Sequence, residues 1–454
     1  MDRSGNRFLL PDISAYRFWE RLMERIEING FLTIDHADFE IRKINILIGA
    51  QAQGKSVIAK LTYFFKSFFH NIFIPSVEKL ETKGNIDKKC LIQFEQIFPR
   101  YSWMNQEFSI IYTNGDYELS IIRTKATNKY ILKVNYGKEL ADFYKGLRNS
   151  YKLALDEFDA RADQENEKKT LKREMIFHQI FSDKLYDSIF SNVYKRPIFI
   201  PASRSFFVNL QKHIFSFLVN DIDIDPFVKE LGSRYEQSRR IHQGDFFRRD
   251  PDSTEVIRKK VDELVSDIIA GEYIYADEQD WISNKGKRTN LADASSGQKE
   301  SLPMLLILKT WPFFYGNKIQ QTFFIEEPEA HLFPVSQKQI ISLIAIISNT
   351  FGHSFFITTH SPYILTAINN LVVGQDAYDK ANGDKNKLKK LETVLATDEL
   401  IRLEDVSAYT LNKGKLASII DMENRLIGAN LLDAVSDEFD AAFSVATEIL
   451  YGAE

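Results

Sequence analysis

Eight consecutive residues, GAQAQGKS at positions 49–56, have the types and the spacing needed to bind the phosphates of a nucleotide. They fit the pattern GxxxxGK[ST] at every fixed position. Gly49 and Gly54 allow backbone N–H groups to wrap around phosphate oxygens, and Lys55 is expected to reach the β- and γ-phosphates. The Ser56 hydroxyl would ligate Mg²⁺. The chemistry predicted for this segment is therefore the binding of ATP with Mg²⁺.

The segments on either side of this loop favour the same chemistry. The apolar run INILI at 44–48 predicts a buried strand that enters the loop, and VIAKLTYFF at 57–65 predicts a helix that leaves it. The N-terminus of a helix carries a partial positive charge of roughly half a unit, which attracts phosphate. The alternative is a chance match in a glycine-containing loop. The residues expected to contact the nucleotide are Gly49, Gln53, Gly54, Lys55, Ser56 and Val57.

A second apolar run, TFFI at 322–325, ends in the two carboxylates Glu326 and Glu327. A buried parallel strand delivers side chains to its C-terminal edge, where α/β sheets bind ligands. Glu326 is placed to hold Mg²⁺, directly or through water, and Glu327 to activate the attacking water as general base. Taken by itself, the segment also fits a strand that ends in a solvated acidic turn.

Two further segments complete the set. One is the run Ser295, Ser296, Gly297 and Gln298, which precedes a strongly apolar helix and offers hydroxyl and N–H groups to an anion. The alternative for such a run is a plain helix cap. The apolar run FFITT at 355–359 predicts another strand, and His360 at its end can contact a γ-phosphate, with a structural role as the alternative.

These four motifs, in this order, resemble those of the ABC-type ATPase head. The resemblance implies an α/β fold, a P-loop NTPase with a mixed sheet and helices on both faces, here carrying a helical arm or insertion. It implies a homodimer in which residues 295–298 of one copy, the signature, act in trans on the nucleotide of the other. Lys55, Ser56, Glu326, Glu327 and His360 would act in cis. ATP would close this dimer and hydrolysis would open it.

Finer features resemble the overcoming-lysogenization-defect (OLD) group of ATPases. They are EEPEAHLFP at 326–334, FIPASR at 199–204 and THSPYIL at 359–365. Full-length OLD nucleases add a Toprim domain with a DxD metal pair, which the residues after His360 do not contain. The run DIDID at 221–225 is the comparable acidic segment, and we interpret it as solvated or as a helix cap. No nuclease activity is expected of the chain.

ATPases of this kind without Toprim are found in bacterial anti-phage systems. The chain resembles the ATPase subunits of PARIS and Septu, and overall length and the short tail favour the PARIS one. The resemblance implies a sensor or scaffold that holds a separately encoded effector nuclease or toxin and responds to a phage protein or nucleic acid. Higher homo-oligomers are compatible with it.

The sequence leaves two features of the family unassigned. Gln93, Gln96 and Gln211 are candidates for its Q-loop glutamine, and Glu329 and His331 occupy its D-loop, which we interpret as structural or inter-subunit.

Composition bounds the remaining function classes. The net charge of −5 argues against a surface that is wholly an electrostatic footprint for nucleic acid, although local basic clusters such as 285–288 leave a DNA-clamping repair-type ATPase as the alternative function. A single cysteine, Cys90, excludes an internal disulfide and favours a reducing compartment. No apolar run approaches the roughly 20 residues of a membrane span. A cytoplasmic protein without a membrane partner is expected.

Periodicity predicts the elements that position these residues. Short strands are expected at 25–28, 38–41 and 44–48, with a turn at Asn29-Gly30, and a hairpin within 107–136 turns at Asn114-Gly115. Charged helices fill 138–190, and a strand at 196–200 returns to the sheet. The predicted parts are 1–137, the first half of the head; 138–270, a mostly helical insertion or arm; 271–366, the second half of the head; and 367–454, an α/β tail for partner or oligomer contacts that closes with a helix near 434–451.

Overall fold

The computed structural model describes residues 23–127, 129–161, 173, 175–181, 183–184, 195–210, 224–244, 254–315 and 320–428. The chain forms two compact units, one of residues 1–41 and 64–194 and the other of residues 42–63 and 195–454. The four-part division drawn from the sequence stays a prediction, and the predicted closing helix near 434–451 lies outside the described residues.

The described secondary structure contains strands and helices along its whole length, partly as runs of successive strands and partly as alternating strands and helices. The strands are β1 Glu24–Phe31, β2 Ile34–Ile41, β3 Ile44–Ile48, β4 Phe108–Asn114, β5 Tyr117–Ala126, β6 Lys129–Tyr136, β7 Arg196–Ile200, β8 Glu272–Ala276, β9 Gln279–Asn284, β10 Lys287–Asn290, β11 Gln321–Glu326, β12 Ser354–Thr359, β13 Val406–Asn412, β14 Lys415–Ser418, β15 Ile420–Asp421 and β16 Leu426–Ile427. The helices are α1 Lys55–Phe68, α2 Ile74–Glu78, α3 Lys83–Ile97, α4 Lys138–Arg161, α5 Arg204–Leu210, α6 Pro226–Gln243, α7 Glu255–Ile268, α8 Ser296–Tyr315, α9 Pro334–Phe351, α10 Pro362–Ala381 and α11 Lys385–Glu392.

The first unit contains antiparallel strands in the order β6-β5-β4-β1-β2. Its core is aromatic: the Phe31 ring meets those of Phe98 at 5.2 Å and Phe108 at 4.8 Å, edge-on in both cases. Edge-to-face packing at this spacing stabilises such a core beyond the area it buries. The hairpin predicted at Asn114-Gly115 is confirmed, since β4 ends at Asn114 and β5 begins at Tyr117.

The turn predicted at Asn29-Gly30 is wrong. Strand β1 runs through Gly30 to Phe31, and the chain turns at Leu32, which has a φ of 53°. Gly30 is a glycine for another reason: its φ is +69°, and a Cβ there would lie 2.9 Å from the carbonyl oxygen of Glu107. A glycine inside a strand often marks such a close approach of a second backbone.

Helix α4, the described beginning of the predicted arm, has buried side chains as well as exposed ones. Leu140, Leu147 and Tyr151 are buried, and the Tyr151 ring lies 5.0 Å from that of Phe177. The spaced apolar positions of this charged segment therefore form a packed stripe, as on most amphipathic helices.

The second unit contains strands in the order β14-β13-β3-β12-β11-β7. Neighbouring strands are parallel from β13 to β7, and β14 is antiparallel to β13. Strands β3, β11 and β12 are buried along their whole length, which explains why apolar residues predominate in their centres. Parallel pairing brings the carboxyl ends of these strands, and the residues that follow them, to one edge of the sheet.

Helices cover both faces of this sheet. Phe323 and Ile325 of β11 belong to a large core that includes residues of α8 and α9. Phe324, which points to the opposite face, contacts the Tyr63 ring of α1 at 5.8 Å. The predicted α/β class, a mixed sheet with helices on both faces, is confirmed. In the described part of the chain, no helix has the length and apolar character needed to span a bilayer.

Candidate nucleotide-binding site

The loop between β3 and α1 has a backbone that its glycines make accessible. Gly49 has a φ of +154° and Gly54 a φ of +105°, both in the region that favours glycine. A Cβ at Gly49 would also lie 3.0 Å from the carbonyl oxygen of Leu411. Helix α1 begins directly after this loop, where Ile58 N–H bonds to the carbonyl of Gly54 at 3.1 Å. The loop therefore presents a helix N-terminus to whatever binds at this edge.

Lys55 lies inside this loop and is only 5% exposed. Its ammonium donates to the carbonyl oxygens of Gly49 at 2.8 Å and Ala50 at 2.7 Å. Burial lowers the pKa of Lys55, and the nearby carboxylates of Glu327 and Glu329 oppose that shift. A positive group held among neutral carbonyls at the mouth of a helix is well placed to exchange them for phosphate oxygens.

His360 joins Lys55 to the acidic strand. Its Nδ1 lies 3.3 Å from the Lys55 ammonium, and its Nε2 lies 3.3 Å from a carboxylate oxygen of Glu327. Because an ammonium can only donate, Nδ1 accepts from Lys55, and the proton of a neutral imidazole is then on Nε2, the nitrogen that faces Glu327. The three side chains thus form a line of close polar contacts, Lys55–His360–Glu327, at one edge of the sheet.

Glu326, the last residue of β11, is 6% exposed. One carboxylate oxygen accepts from the Ala202 backbone N–H at 3.2 Å, while the other is buried and has no hydrogen-bond partner among the described residues. Such an orphan oxygen fits a cation, since burial without a partner is costly. Within the described chain no three acidic, histidine or cysteine side chains cluster to form a metal site. Mg²⁺ is commonly held by one or two carboxylates together with substrate phosphates, so Glu326 and the Ser56 hydroxyl are the groups that would hold it here.

Glu327 begins the turn that leaves the strand. Its φ of 44° is left-handed, and its N–H bonds to the Thr358 carbonyl at 2.8 Å. Its side chain is 39% exposed, so water can reach the carboxylate. A non-glycine residue with positive φ is uncommon and often marks a functional turn.

Glu329 makes its contacts within the chain. One of its carboxylate oxygens accepts from the Thr359 hydroxyl and from the His360 backbone N–H, both at 2.7 Å. These hydrogen bonds of Glu329 connect the turn after β11 to His360. This is one of the two roles, structural or inter-subunit, that the sequence leaves open for it.

The signature residues begin α8 as a capping box. The Ser295 N–H and hydroxyl donate to the Gln298 side-chain oxygen, both at 3.1 Å, and the Gln298 N–H donates to the Ser295 hydroxyl at 3.3 Å. The helix-cap alternative thus describes the local conformation. Ser296 is exposed, and a Cβ at Gly297 would lie 2.8 Å from the carbonyl oxygen of His331. These residues contact the D-loop of their own chain and leave the Ser296 hydroxyl open to solvent.

Two contributors to the site were missed by sequence reasoning. The first is the β13–β14 hairpin in the predicted tail. Because β13 pairs with β3, the Lys413 N–H reaches the Gln53 side-chain oxygen at 3.1 Å, and Leu411 closes over Gly49. The second is Arg204, which bonds to the carbonyl oxygens of both Glu326 and Glu327. The motif FIPASR contained Arg204, but no local pattern indicated its partners.

The remaining candidates lie elsewhere. Asp225 caps α6, accepting from Phe227 N–H at 2.7 Å, as a helix-cap interpretation of the acidic run predicts, while 221–223 fall outside the described residues. Gln93 donates to the Ser67 hydroxyl at 3.3 Å within the first unit, and Gln96 is exposed. Gln211 is outside the described residues. The assignment of the Q-loop glutamine stays open.

Residues 23–365 match the family model described as AAA ATPase domain. A comparison with curated proteins finds no match. Among solved structures, the chain is similar to the SMC head domain from Thermotoga maritima, with 11% identity, a TM-score of 0.34, and coverage of 87% of this chain and 98% of that one. It is also similar to the SMC head from Pyrococcus furiosus bound to the C-terminal domain of ScpA (14%, TM-score 0.35, 91% and 99% covered) and to the recombination mediator protein RecF (10%, TM-score 0.31, 87% and 98% covered).

Proposed function

The chain belongs to the AAA ATPase domain family, and we propose that it binds ATP at the carboxyl ends of β3, β11 and β12 and hydrolyses it with Glu327 as general base. The observation that carries this proposal is the line of close polar contacts Lys55–His360–Glu327, with His360 Nδ1 3.3 Å from the Lys55 ammonium and Nε2 3.3 Å from a Glu327 oxygen. It joins the phosphate loop to the acidic strand through a group that can sense a γ-phosphate. The Lys55 ammonium, the His360 imidazole and the Glu327 carboxylate meet at one sheet edge, which supplies the charge stabilisation and the positioned base that phosphoryl transfer to water uses.

Each residue has a distinct task in this proposal. Lys55 leaves the carbonyls of its own loop to bind the β- and γ-phosphates, and backbone N–H groups from Gly49 to Val57 surround the remaining phosphate oxygens. Ser56 and Glu326 would hold Mg²⁺, which would neutralise developing charge on the phosphates. Glu327 orients a water for in-line attack and accepts its proton. His360 lies between the Lys55 ammonium and the Glu327 carboxylate, and with ATP bound it would donate its Nε2 proton to the γ-phosphate.

We further propose that two copies pair so that the exposed start of α8 in one caps the nucleotide of the other. Ser296 offers a hydroxyl that no described contact uses, at the positive end of a long helix. Such a pair has two-fold symmetry, and both sites depend on both chains. Binding of ATP would favour the paired state and hydrolysis the separated one.

Ser296→Ala tests this pairing without changing the fold of the single chain. We expect ATP affinity close to wild type and an ATPase rate reduced by about tenfold, because about 1.4 kcal/mol of stabilisation from the hydroxyl is lost only in the paired state. Equilibrium nucleotide binding and steady-state phosphate release measure the two effects. An ATP affinity lowered as much as in Lys55→Ala would contradict a role in trans.

Gly297→Ala is a less informative test of pairing than Ser296→Ala. The added Cβ would meet the His331 carbonyl oxygen of the same chain at 2.8 Å, so the D-loop must move even in a monomer. A loss of activity in that variant alone would therefore not distinguish a contact within one chain from a contact between two.

For the biological role, we propose a cytoplasmic sensor or scaffold in anti-phage defence that holds a separately encoded effector nuclease or toxin. Support comes from the OLD-like motifs at 326–334, 199–204 and 359–365. The alternative is an ATPase that clamps DNA directly, for which the exposed hairpin residues Lys285, Lys287 and Arg288 would supply phosphate contacts.

Native mass spectrometry of the tagged chain, purified with ATP from cells that also express its neighbouring genes, tests this role. A defined assembly with a second protein supports the scaffold and identifies the effector. A partner-free assembly that retains nucleic acid, with duplex affinity falling steeply as salt rises, supports the clamp instead.

A further inference from the structure

Arg204 is a fully buried cation, 1% exposed, at the start of α5. Its guanidinium donates to the backbone carbonyls of Glu326 at 2.7 Å, Glu327 at 3.0 Å and Glu300 at 2.8 Å. A further bond reaches the Pro201 carbonyl at 3.2 Å. The planar fork of an arginine is suited to holding several acceptors in fixed directions, which a lysine cannot do. This one side chain therefore binds both catalytic carboxylate residues by their main chain.

Glu300 is the carboxylate that balances this charge. It is also buried, and one of its oxygens lies 3.6 Å from the Arg204 Nε. The same oxygen accepts from the Arg204 N–H at 2.7 Å, and the other accepts from the Ser205 N–H at 2.8 Å. Burial alone would raise the pKa of Glu300, but Arg204 and these N–H donors more than offset it and leave the pKa lowered. Glu300 is thus held ionised, and its contacts fix the whole 204–205 turn.

The position of Glu300 connects the Arg204–Glu300 pair to the signature residues. Glu300 is in α8, four residues after Ser296, so both side chains project from the same face of the helix one turn apart. At the other end of the contact, Arg204 holds the carbonyl of Glu327, whose left-handed φ of 44° requires support from its surroundings. A shift of the start of α8 would therefore displace the main chain of Glu327 through the buried side chains of Glu300 and Arg204.

We infer that Arg204 and Glu300 are positioning residues that transmit the placement of the signature helix to the general base within the same chain. This inference rests on the proposed function and adds how the two sites of a pair communicate. When Ser296 engages the nucleotide of the partner copy, α8 is held in one place, and the Glu300–Arg204 contact sets the Glu327 turn in the geometry for attack. Each copy would then hydrolyse its own ATP efficiently only while its signature is occupied. Such coupling is a free energy between two sites and must act in both directions.

The test replaces Glu300 by glutamine, which keeps its shape and removes its charge. We expect kcat for ATP hydrolysis to fall by between about 10- and 100-fold, as small misplacements of catalytic groups do, with the ATP dissociation constant within about threefold of wild type. Arg204→Lys, which keeps the charge but not the fork, should behave in the same way. Normal kcat in both variants would overturn the inference.

A matched control is available in the same unit. Arg239, which is partly buried, and Asp280, which is buried, form another pair of arginine and carboxylate, with the Arg239 Nε 3.0 Å from Asp280, and neither residue belongs to the described site. Asp280→Asn should lower the melting temperature as Glu300→Gln does, because each removes a buried carboxylate charge that balances an arginine. Its kcat should remain that of the wild type. An equal loss of kcat in Asp280→Asn would assign the effect of Glu300→Gln to stability alone.

A double-mutant cycle separates transmission from simple support. If Glu300 relays the state of Ser296, the effects of Ser296→Ala and Glu300→Gln on kcat are non-additive, because either variant already breaks the relay. Additive effects would overturn the relay. Failure of the proposed function is distinguishable: it would appear as normal hydrolysis in Glu327→Gln, whereas failure of this inference leaves Glu327→Gln inactive and Glu300→Gln active.

Discussion

Lys55→Ala is expected to weaken ATP binding by at least about 100-fold and to abolish hydrolysis. Hydrogen bonds to charged groups contribute about 1.5–3 kcal/mol each, and two such bonds to phosphate are lost with the ammonium. The variant also leaves the carbonyls of Gly49 and Ala50 without the donor that they share in the wild type. Calorimetric titration with ATP and Mg²⁺ measures the loss.

Lys60→Ala is the control for that experiment. Lys60 lies on the same helix, five residues after Lys55, and its nearest described ionic partner is Asp225 at 3.7 Å. Its removal tests whether loss of any lysine from α1 weakens binding, and we expect ATP affinity close to wild type. Tight ATP binding by Lys55→Ala would contradict the phosphate-loop assignment itself.

Glu327→Gln is expected to bind ATP normally but to hydrolyse it about 10²–10⁴-fold more slowly, the usual contribution of a positioned general base. Glutamine keeps the size of the side chain, and its amide oxygen can still accept the Nε2 proton of His360. The variant cannot accept a proton from water. Phosphate release under single-turnover conditions, with ATP binding measured in parallel, separates the chemical step from affinity.

Glu255→Gln provides the matched control, since Glu255 is an exposed glutamate at the start of α7 that pairs with Lys259 at 2.9 Å. It should hydrolyse ATP like the wild type. If Glu327→Gln itself turns over normally, the general base lies elsewhere. Glu329, which has a buried carboxylate oxygen without a described partner, is then the next residue to replace.

The sequence predicts the parts of the site that depend on local pattern. The strand at 44–48 and the strand at 196–200 are found with the predicted bounds, and α1 follows the phosphate loop as expected. These predictions succeed because a buried parallel strand leaves a continuous apolar run, and because a glycine-rich turn before a helix has few other uses. The meeting of Lys55, Glu327 and His360 follows once their strands are placed side by side.

Long-range contacts are what the sequence does not predict. The pairing of β13 with β3 joins residues far apart in the chain, so the closure of Leu411 over Gly49 has no local signal. The Arg204–Glu300 pair likewise depends on which helix packs beside the 201–205 turn. The turn misplaced at Asn29-Gly30 shows the same limit: a Cβ at Gly30 would meet the carbonyl of Glu107, just before β4, whereas local pattern assigns this glycine to a turn.

The most direct test of the central claim, that ATP joins two copies through shared sites, is native mass spectrometry of Glu327→Gln with and without ATP and Mg²⁺. We predict single chains of 52.6 kDa without nucleotide and complexes of two chains with two ATP molecules in its presence. Addition of Ser296→Ala to the same variant should reduce these complexes while leaving ATP on the single chains. Single chains that carry ATP at every protein concentration, with no paired species, would contradict the claim.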